Sequence, residues 1–489
     1  MNNDIFIDEY GFDHARSEVL GQGGQGVVFR TDDPDLAIKL VTDAYGEPLT
    51  DPVQIQRYQR RFQWVRLLPL PDGVNISMPI ALLKNKAGYV MPLLGEMEPF
   101  EYFWPYTAAL QGISDDAIPH WMAAMQPADA KKLVHYQRTG GLRRRLNALL
   151  QSASLLARLH GYGLVYGDIS PGNMFISRGA AAAGDAVWLI DADNLRFDRP
   201  SCGSAIYTPR YGAPELVNQR DGGRPASDCH AFAVVAFYLL STVHPFMGRQ
   251  ALGEDRDWSD TDDDARTSED RALAGELPWV GDEEDDSNAT DSGLPTVLVL
   301  TPALQTLFND TFSAGRLAPW RRPAIWHWPQ ALAAAADITL ECAGCSMNYY
   351  PETPYTKTCP YCQAPLPARL VLESWCWEGA DAPLGEPDWR FCREITPGAE
   401  ITLPRRVVDD FAVRTADDDA LVFCFDGPRL TVKKIVGATM TLAAATDGAF
   451  HPVSAQLGIE YADAASGFWL FTEMTTPRLI RCVMQEAGQ

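Results

Sequence analysis

The sequence is short of basic residues and of long apolar runs. It has 41 Lys and Arg against 64 Asp and Glu in 489 residues, a formal net charge of −23 at pH 7. Nucleic acids and anionic membranes bind proteins through clusters of Lys and Arg, so we expect neither as a partner. No apolar run is long enough to span a bilayer, and the N-terminus lacks the basic and apolar regions of a signal peptide. We therefore expect a cytoplasmic chain with reduced cysteines.

The acidic residues are concentrated in one segment, residues 253–293. From Glu254 to Asp291 the sequence has 16 Asp or Glu and 3 Arg. Such a density of one charge favours a solvated, partly disordered insertion. The alternative is a docking segment for a basic partner, which Trp258 and Trp279 would support.

A glycine-rich turn lies near the N-terminus between two apolar stretches. Gly21, Gly23 and Gly26 form a G-x-G-x-x-G pattern, and Val28 stands where an apolar side chain would cover an adenine. Glycines let a backbone close over phosphates without Cβ clashes, although an ordinary glycine-rich hairpin has the same pattern. Lys39 is the one charged residue of the next apolar run, and a buried ammonium needs an anion such as a nucleotide phosphate.

The most informative stretch is the segment Tyr166–Asn173, called the catalytic loop below. It contains Asp168 and Asn173, and Asp191 follows after an apolar run. Phosphoryl transfer from a nucleotide uses such a set, because one carboxylate orients the acceptor hydroxyl while an amide and a second carboxylate hold Mg²⁺. The set predicts ATP and Mg²⁺ as cofactors, with Asn173 and Asp191 as metal ligands.

Further motifs follow in a fixed order downstream. They are Thr208, the run Ala213-Pro214-Glu215, Asp228 at the start of an apolar helix, and Arg322 after a later helix. Over about residues 10–335 the ordered series resembles the eukaryotic-type Ser/Thr protein kinases of bacteria. The resemblance implies a bilobal α+β fold and phosphoryl transfer to protein Ser or Thr, with Ser201 and Ser204 as candidate autophosphorylation sites.

The resemblance also implies a role for each matching residue. In chain order these are Lys39 on the nucleotide phosphates, Asp168 as the catalytic carboxylate, Thr208 at the protein substrate, Glu215 in an ion pair with Arg322, and Asp228 as the anchor of the catalytic-loop backbone. The run Gly88–Leu94 is typical of a strand and hinge, with Met91 behind the adenine and Leu94 offering its N–H. The alternative is an ordinary core strand that Pro92 ends.

Three departures from the kinase pattern bear on activity. Gly167 replaces the Arg that usually precedes the catalytic Asp, which implies weaker control by phosphorylation. The run Asp191–Asp193 replaces D-F-G, and the helix expected over Pro52–Leu68 has no Glu to pair with Lys39. Three alternatives follow: a Gln of this helix is the partner of Lys39, another acid pairs with Lys39, or catalysis is impaired. A nucleotide-binding pseudokinase scaffold therefore stays open, and the catalytic loop also resembles that of small-molecule phosphotransferases.

Two C-x-x-C pairs form a second motif, Cys342 with Cys345 and Cys359 with Cys362. Four thiolates at this spacing suit tetrahedral Zn²⁺ and leave no open position for catalysis. The motif predicts a structural zinc ribbon over residues 338–366, and a redox disulfide is the alternative.

Beyond the ribbon, short apolar runs alternate with Gly, Pro and Asp turns, which is typical of a small antiparallel β-domain. We expect a kinase domain over residues 1–337, the ribbon, and a β-rich partner-recognition domain over residues 367–489. A G-D-I-x-x-x-N loop, I-D-x-D and a ribbon together resemble kinases associated with a von Willebrand A protein and a PP2C phosphatase in tellurite-resistance-type stress systems. That resemblance implies a protein substrate, with those two proteins as partners.

Overall fold

The computed structural model describes most of the chain. The described residues are 4–23, 26–43, 45–178, 186–199, 206–253, 266–351, 357–379, 383–409, 419–435, 441–445 and 449–488. They form a mixed structure of helices and several antiparallel sheets, in agreement with the expected α+β class.

The N-terminal part is a six-stranded antiparallel sheet with one helix on its face. Its strands are β1 (Ile5–Ile7), β2 (Asp13–Gly23), β3 (Gly26–Thr31), β4 (Leu36–Leu40), β5 (Ala81–Leu82) and β6 (Gly88–Pro92). They lie in the order β1-β2-β3-β4-β6-β5. Helix α1 (Pro52–Arg66) begins at Asp51, whose carboxylate accepts a hydrogen bond from the Val53 N–H, and it buries Phe62 and Val65. A side chain that accepts from the first turn stabilises a helix start.

A larger, mainly helical part follows. Its helices are α2 (Thr107–Gln111), α3 (Pro127–Arg138), α4 (Gly141–Gly161), α5 (Pro214–Val217), α6 (Pro225–Ser241), α7 (Arg249–Leu252), α8 (Ser268–Leu273), α9 (Thr296–Val299), α10 (Pro302–Asn309) and α11 (His327–Asp337). Helix α6 is buried along most of its length, because a helix that is apolar on all sides is stable inside a core. Within the described ranges, no helix combines the length and the apolar character needed to cross a bilayer.

Five short strands in the helical part position the loops between helices. They are β7 (Met97–Pro99), β8 (Leu164–Val165), β9 (Met174–Ser177), β10 (Val187–Leu189) and β11 (Arg196–Phe197). Strands β10, β9 and β7 form one antiparallel sheet in that order, and β11 pairs with β8. The catalytic loop therefore lies between β8 and β9.

The acidic segment is folded where the structure describes it. Trp258 lies outside the described residues, whereas residues 266–293 pack on the helical core. Trp279 is fully buried and contacts Phe237 and Phe312 with ring centroids 5.3 and 5.4 Å apart. Residues 266–293 are therefore folded and not disordered, although most of their acidic side chains are exposed to solvent, and Trp279 is not accessible to a partner. Burial of the Trp279 indole stabilises the folded segment, because its acidic side chains can stay at the surface while the indole packs in the core.

The C-terminal part is built from antiparallel strands, as expected. The strands are β12 (Leu340–Glu341), β13 (Asn348–Tyr349), β14 (Arg369–Cys376), β15 (Trp389–Glu394), β16 (Glu400–Pro404), β17 (Asp419–Phe425), β18 (Arg429–Lys434), β19 (Thr441–Ala445), β20 (His451–Pro452), β21 (Gln456–Glu460), β22 (Phe468–Glu473) and β23 (Arg478–Gln485), with helices α12 (Arg405–Val408) and α13 (Tyr461–Ser466). Strands β12 and β13 pair, and two larger sheets have the orders β15-β14-β23-β22-β19-β20 and β16-β17-β18-β21.

A buried ionic cluster ties the end of α11 to the C-terminal sheets. Asp337 is fully buried and accepts hydrogen bonds from Arg406 Nε and Nη2 at 2.8 and 2.7 Å and from Trp389 Nε1 at 3.0 Å. Arg393 Nη2 lies 3.7 Å from the same carboxylate. A buried carboxylate needs such partners, so this cluster, called the Asp337 joint below, fixes the sheets on the helical part.

Candidate active site and four-cysteine site

Helix α6 holds the catalytic loop in place. The carboxylate of Asp228, buried near the start of α6, accepts hydrogen bonds from the backbone N–H groups of Tyr166 and Gly167 at 2.8 and 2.9 Å. The His160 ring lies 3.0 Å from the same carboxylate. Gly167 has φ = +87°, a conformation that is strained for residues with a Cβ. Backbone geometry thus accounts for the glycine immediately before Asp168.

The Asp168 side chain is buried and bonded to Thr208. Thr208 Oγ1 donates to Asp168 Oδ1 at 2.8 Å, and the Asn173 amide donates to the Asp168 backbone carbonyl at 3.0 Å. Burial raises the pKa of Asp168, and the hydrogen bond from Thr208 opposes that rise. A carboxylate of raised basicity that already accepts a threonine hydroxyl is suited to orienting an acceptor hydroxyl.

Asp191 and Asp193 converge on Lys39. Asp191 has φ = +58°, and the three residues after it form one 3₁₀ turn. The Lys39 ammonium contacts the Asp191 carboxylate and lies 2.8 Å from Asp193 Oδ2, with all three side chains at most 15% exposed. Burial disfavours the charge on Lys39, but the two carboxylates outweigh it and raise the pKa of Lys39. Lys39 therefore has anionic partners within the chain.

Helix α1 faces this turn with Arg61 instead of an acid. Arg61 Nε donates to the Asp193 backbone carbonyl at 2.7 Å, and Nη2 donates to Asn194 Oδ1 at 2.5 Å. Gln59 donates to two backbone carbonyls of the β5–β6 turn, so its amide is engaged away from Lys39. Of the three alternatives for Lys39, the structure shows the second, another acid. Sequence reasoning missed Arg61 and Asn194 at this site. The position of Asn194 directly after Asp191–Asp193 was the one signal in the sequence for its presence here.

The glycine-rich segment forms the β2–β3 hairpin. Gly21 and Gly23 end β2 and Gly26 begins β3, while residues 24 and 25 lie outside the described ranges. Gly26 has φ = +152°, and a Cβ there would collide with the carbonyl of Leu40. The Cβ positions of Gly21 and Gly23 have nothing described within 4 Å. Among the described residues nothing covers these two glycines, which suits a backbone that approaches a ligand.

The residues expected around the adenine lie on three neighbouring elements. Val28 on β3 is opposite Lys39 on β4 and packs in the same apolar cluster as Met91. Met91 lies on β6 opposite Ala37 and is buried, and Leu94, two residues beyond β6, is half-buried. The structure therefore brings Val28 and Met91 into one apolar surface beside Lys39.

Downstream of the catalytic loop, Glu215 and Arg322 form a bidentate ion pair. Arg322 Nη1 and Nη2 each lie 2.7 Å from a Glu215 carboxylate oxygen, and Arg322 Nε donates to the Gly315 carbonyl at 2.8 Å. Such a pair fixes both the angle and the position of its two groups. Ser201 and Ser204 lie outside the described residues.

The four cysteines form one compact cluster. All four sulfur atoms lie within 4.8 Å of one another, with Cys342 and Cys362 3.5 Å apart and Cys345 and Cys359 3.7 Å apart. Four thiolates at the usual zinc–sulfur distance are roughly 3.8 Å apart, so the set fits a closed tetrahedral zinc site. The four are free thiols, and the hydrogen bond between Cys345 and Cys359 lowers the pKa of Cys359 and raises the pKa of Cys345.

The chain is similar in sequence to several bacterial proteins that are named Ser/Thr protein kinases. The chain is 34% identical over 113 residues to the serine/threonine-protein kinase pkn2 of Myxococcus xanthus, which covers 22% of this chain and 13% of that protein. It is 33% identical over 127 residues to PknA of Mycobacterium tuberculosis, 24% of this chain and 27% of that protein. Over 108 residues it is 34% identical to drp72 of Corynebacterium efficiens, 22% of this chain and 20% of that protein.

These matches support a kinase relationship for part of the chain. The chain spans less than a third of the length of each of these relatives. No protein-family model matches the chain.

Proposed function

We propose that the chain is a Ser/Thr protein kinase, which transfers the γ-phosphoryl group of ATP to a Ser or Thr hydroxyl of a protein. The observation that carries this proposal is a pair of buried contacts on neighbouring loops: Lys39 contacts the Asp191 carboxylate, and Asp168 accepts a hydrogen bond from the Thr208 hydroxyl. The similarity to bacterial Ser/Thr protein kinases supports it independently.

Asp168 is the proposed catalytic carboxylate. It would accept the proton of the acceptor hydroxyl or orient that hydroxyl for attack on the γ-phosphorus. The hydrogen bond from Thr208 Oγ1 to Asp168 Oδ1 supports this role, because it is the interaction that a substrate threonine would make. Asp228 supports it indirectly, since it fixes the backbone that leads to Asp168.

The donor atoms of Asn173 and Asp191 suit a magnesium ion. Asn173 offers an amide oxygen and Asp191 a carboxylate, and hard divalent cations prefer such oxygens. Burial and the charge of Asp193 raise the pKa of Asp191, whereas the Lys39 ammonium lowers it. The raised pKa indicates that one ammonium does not fully neutralise the negative charge of Asp191 and Asp193. Bound Mg²⁺ supplies charge neutralisation on the phosphates. Lys39 would contact the same phosphates from β4.

The arrangement of elements supports a two-lobed kinase-like fold over residues 1–337. We assign the six-stranded sheet with α1 to the nucleotide-binding lobe, where the hairpin of Gly21, Gly23 and Gly26 would cover the phosphates. Val28, Met91 and Leu94 would contact the adenine. We assign helices α3 to α11 to the lobe that binds the protein substrate.

The C-terminal regions are proposed to recognise partners. Residues 338–366 would form a structural zinc ribbon, and residues 367–489 a recognition domain. On the resemblance in its motifs, we propose a von Willebrand A protein as substrate and a PP2C phosphatase as its antagonist. The four thiols suit a reducing compartment, so we place the chain in the cytoplasm.

A transfer assay on the full chain tests the proposal. Labelled ATP and Mg²⁺ are incubated with wild type, with Asp168→Asn, and with the control Asp129→Asn, whose side chain is exposed on α3. We expect Ser/Thr phosphorylation by wild type and control, and a loss of about 100-fold or more in Asp168→Asn. Nucleotide binding without any transfer would favour the pseudokinase scaffold. Label on a small hydroxylated acceptor and never on protein would favour a small-molecule phosphotransferase.

A further inference from the structure

We propose that Asp193 is the positioning residue for Lys39, holding its ammonium towards the nucleotide from the turn after β10. The inference deepens the proposed function and rests on it, because both concern the same site. Asp193 would not touch the nucleotide, and it would act through Lys39 alone.

The contacts of Lys39 divide its two acidic partners into different roles. Asp191 is the more exposed of the two, with 15% of its side chain accessible against 7% for Asp193. Asp191 is also the proposed metal ligand, so its charge would be shared with the metal. Asp193 Oδ2, 2.8 Å from the Lys39 ammonium, is then the carboxylate that remains dedicated to Lys39.

Asp193 lies on the side of Lys39 that faces helix α1. Tyr89 is directly opposite Lys39 in the β4–β6 pairing and packs edge-on against Phe62 of α1, with ring centroids 4.9 Å apart. Tyr89 is completely buried, and after burial itself the charge of Asp193 is the largest cause that raises the pKa of Tyr89. Asp193 is itself buried, and its turn is held against α1 by the hydrogen bond from Arg61 Nε to the Asp193 backbone carbonyl.

Helix α1 fixes the turn without neutralising its carboxylate. None of its residues Pro52–Arg66 is acidic, so no side chain of α1 can pair with Lys39. Arg61 binds the backbone carbonyl of Asp193 and the side chain of Asn194, which leaves the Asp193 carboxylate to Lys39. Helix α1 thus contributes the cation Arg61 and no acid. The acidic partner of Lys39 comes instead from the turn that also carries Asp191.

The nearly isosteric variant Asp193→Asn tests this role. We measure ATP affinity by calorimetry at saturating Mg²⁺, the Mg²⁺ concentration needed for half-maximal binding, and kcat/KM where transfer is observed. We expect ATP affinity and kcat/KM to fall about 10- to 100-fold, the scale known for removal of a residue that orients a metal ligand by a hydrogen bond. The half-maximal Mg²⁺ concentration should stay as in wild type. The matched control, Asp129→Asn, should match wild type throughout.

A double-mutant cycle shows whether Asp193 affects ATP affinity through Lys39 or independently of it. In a Lys39→Met background, adding Asp193→Asn should cause no further loss of ATP affinity, because the group on which Asp193 acts is gone. An equal loss in both backgrounds would overturn the inference, and so would unchanged affinity in Asp193→Asn. A raised Mg²⁺ requirement with unchanged ATP affinity would make Asp193 a metal ligand instead. These readouts need binding only, so a failure of phosphoryl transfer in wild type would defeat the proposed function without deciding the role of Asp193.

Discussion

The charged side chains at the candidate active site are buried next to groups of opposite charge or hydrogen-bond donors. Lys39 lies between two carboxylates, and Asp228 accepts two backbone N–H groups next to His160. Removing one member of a buried pair leaves the other uncompensated, which is strongly destabilising in the absence of another partner. A truncation at this site would therefore combine a loss of stability with a loss of ligand binding. An isosteric substitution such as Asp to Asn changes the charge and keeps the shape, so it reports more directly on ligand binding.

At the residue scale we predict that Asp191→Ala removes the Mg²⁺ dependence of nucleotide binding. The variant lacks the carboxylate proposed to hold the metal, so ATP affinity in Mg²⁺ should fall at least about tenfold. Calorimetry with and without Mg²⁺ measures both affinities. Tight, Mg²⁺-dependent binding that survives the substitution unchanged would remove Asp191 from the metal site.

The sequence predicted which residues meet at the site better than it predicted their contacts. Asp168, Asn173 and Asp191 could be placed together because their order and spacing are set by two short loops. The pairing of Asp193 with Lys39 could not be predicted, because the run D-A-D does not show that both of its carboxylates turn towards β4. That arrangement depends on the positive φ of Asp191 and the single turn that follows it.

Among the elements, the four-cysteine cluster joins two pieces of chain that are too short to bury a core of their own. Its C-x-x-C spacing could be read directly from the sequence, because each pair of ligands lies within one tight turn. The packing of the acidic segment could not be read in this way. The high charge density of the segment favoured disorder in the sequence analysis, despite the presence of Trp279. The contacts of Trp279 with Phe237 and Phe312 show that the segment is attached to the helical core.

At this scale we predict that the cluster binds one structural zinc ion. Cys359→Ser should lose most of the metal and lower the thermal stability of residues 338–366, because metal binding provides folding energy to such a short segment. Elemental analysis and thermal unfolding measure the two effects. The matched control is Cys376→Ser, an exposed cysteine outside the cluster, which should keep the metal. Full zinc retention in Cys359→Ser, or a native Cys342–Cys345 disulfide, would show that the cluster is not a zinc site.

For the whole molecule, the Asp337 joint makes the C-terminal sheets a fixed part of the chain. Asp337 ends α11, while Arg406, Arg393 and Trp389 come from the strands and helix of the C-terminal part. Arg143 of α4 adds a second connection, since its guanidinium lies 2.8 Å from both Glu394 oxygens. Nothing local in the sequence indicates these contacts, because their partners are separated by more than 50 positions in the chain.

We predict that Asp337→Asn destabilises the attachment of the C-terminal sheets to α11. The change keeps the shape of the side chain but leaves the buried Arg406 guanidinium without its carboxylate, which costs about 3–5 kcal/mol. Thermal unfolding should show a lower midpoint or a separate early transition. Glu386→Gln, at a side chain that is 90% exposed, is the control and should unfold like wild type. An unchanged unfolding curve for Asp337→Asn would show that the joint does not hold the two parts together.

The most direct test of phosphoryl transfer to protein is phosphopeptide mapping of the full chain and an added acceptor protein after incubation with ATP and Mg²⁺. Wild type and Asp129→Asn should acquire phosphate on Ser or Thr, while Asp168→Asn should acquire essentially none and still bind the nucleotide. Phosphate on tyrosine alone, equal phosphorylation by Asp168→Asn, or a wild type that binds ATP and phosphorylates no protein would contradict the proposed function.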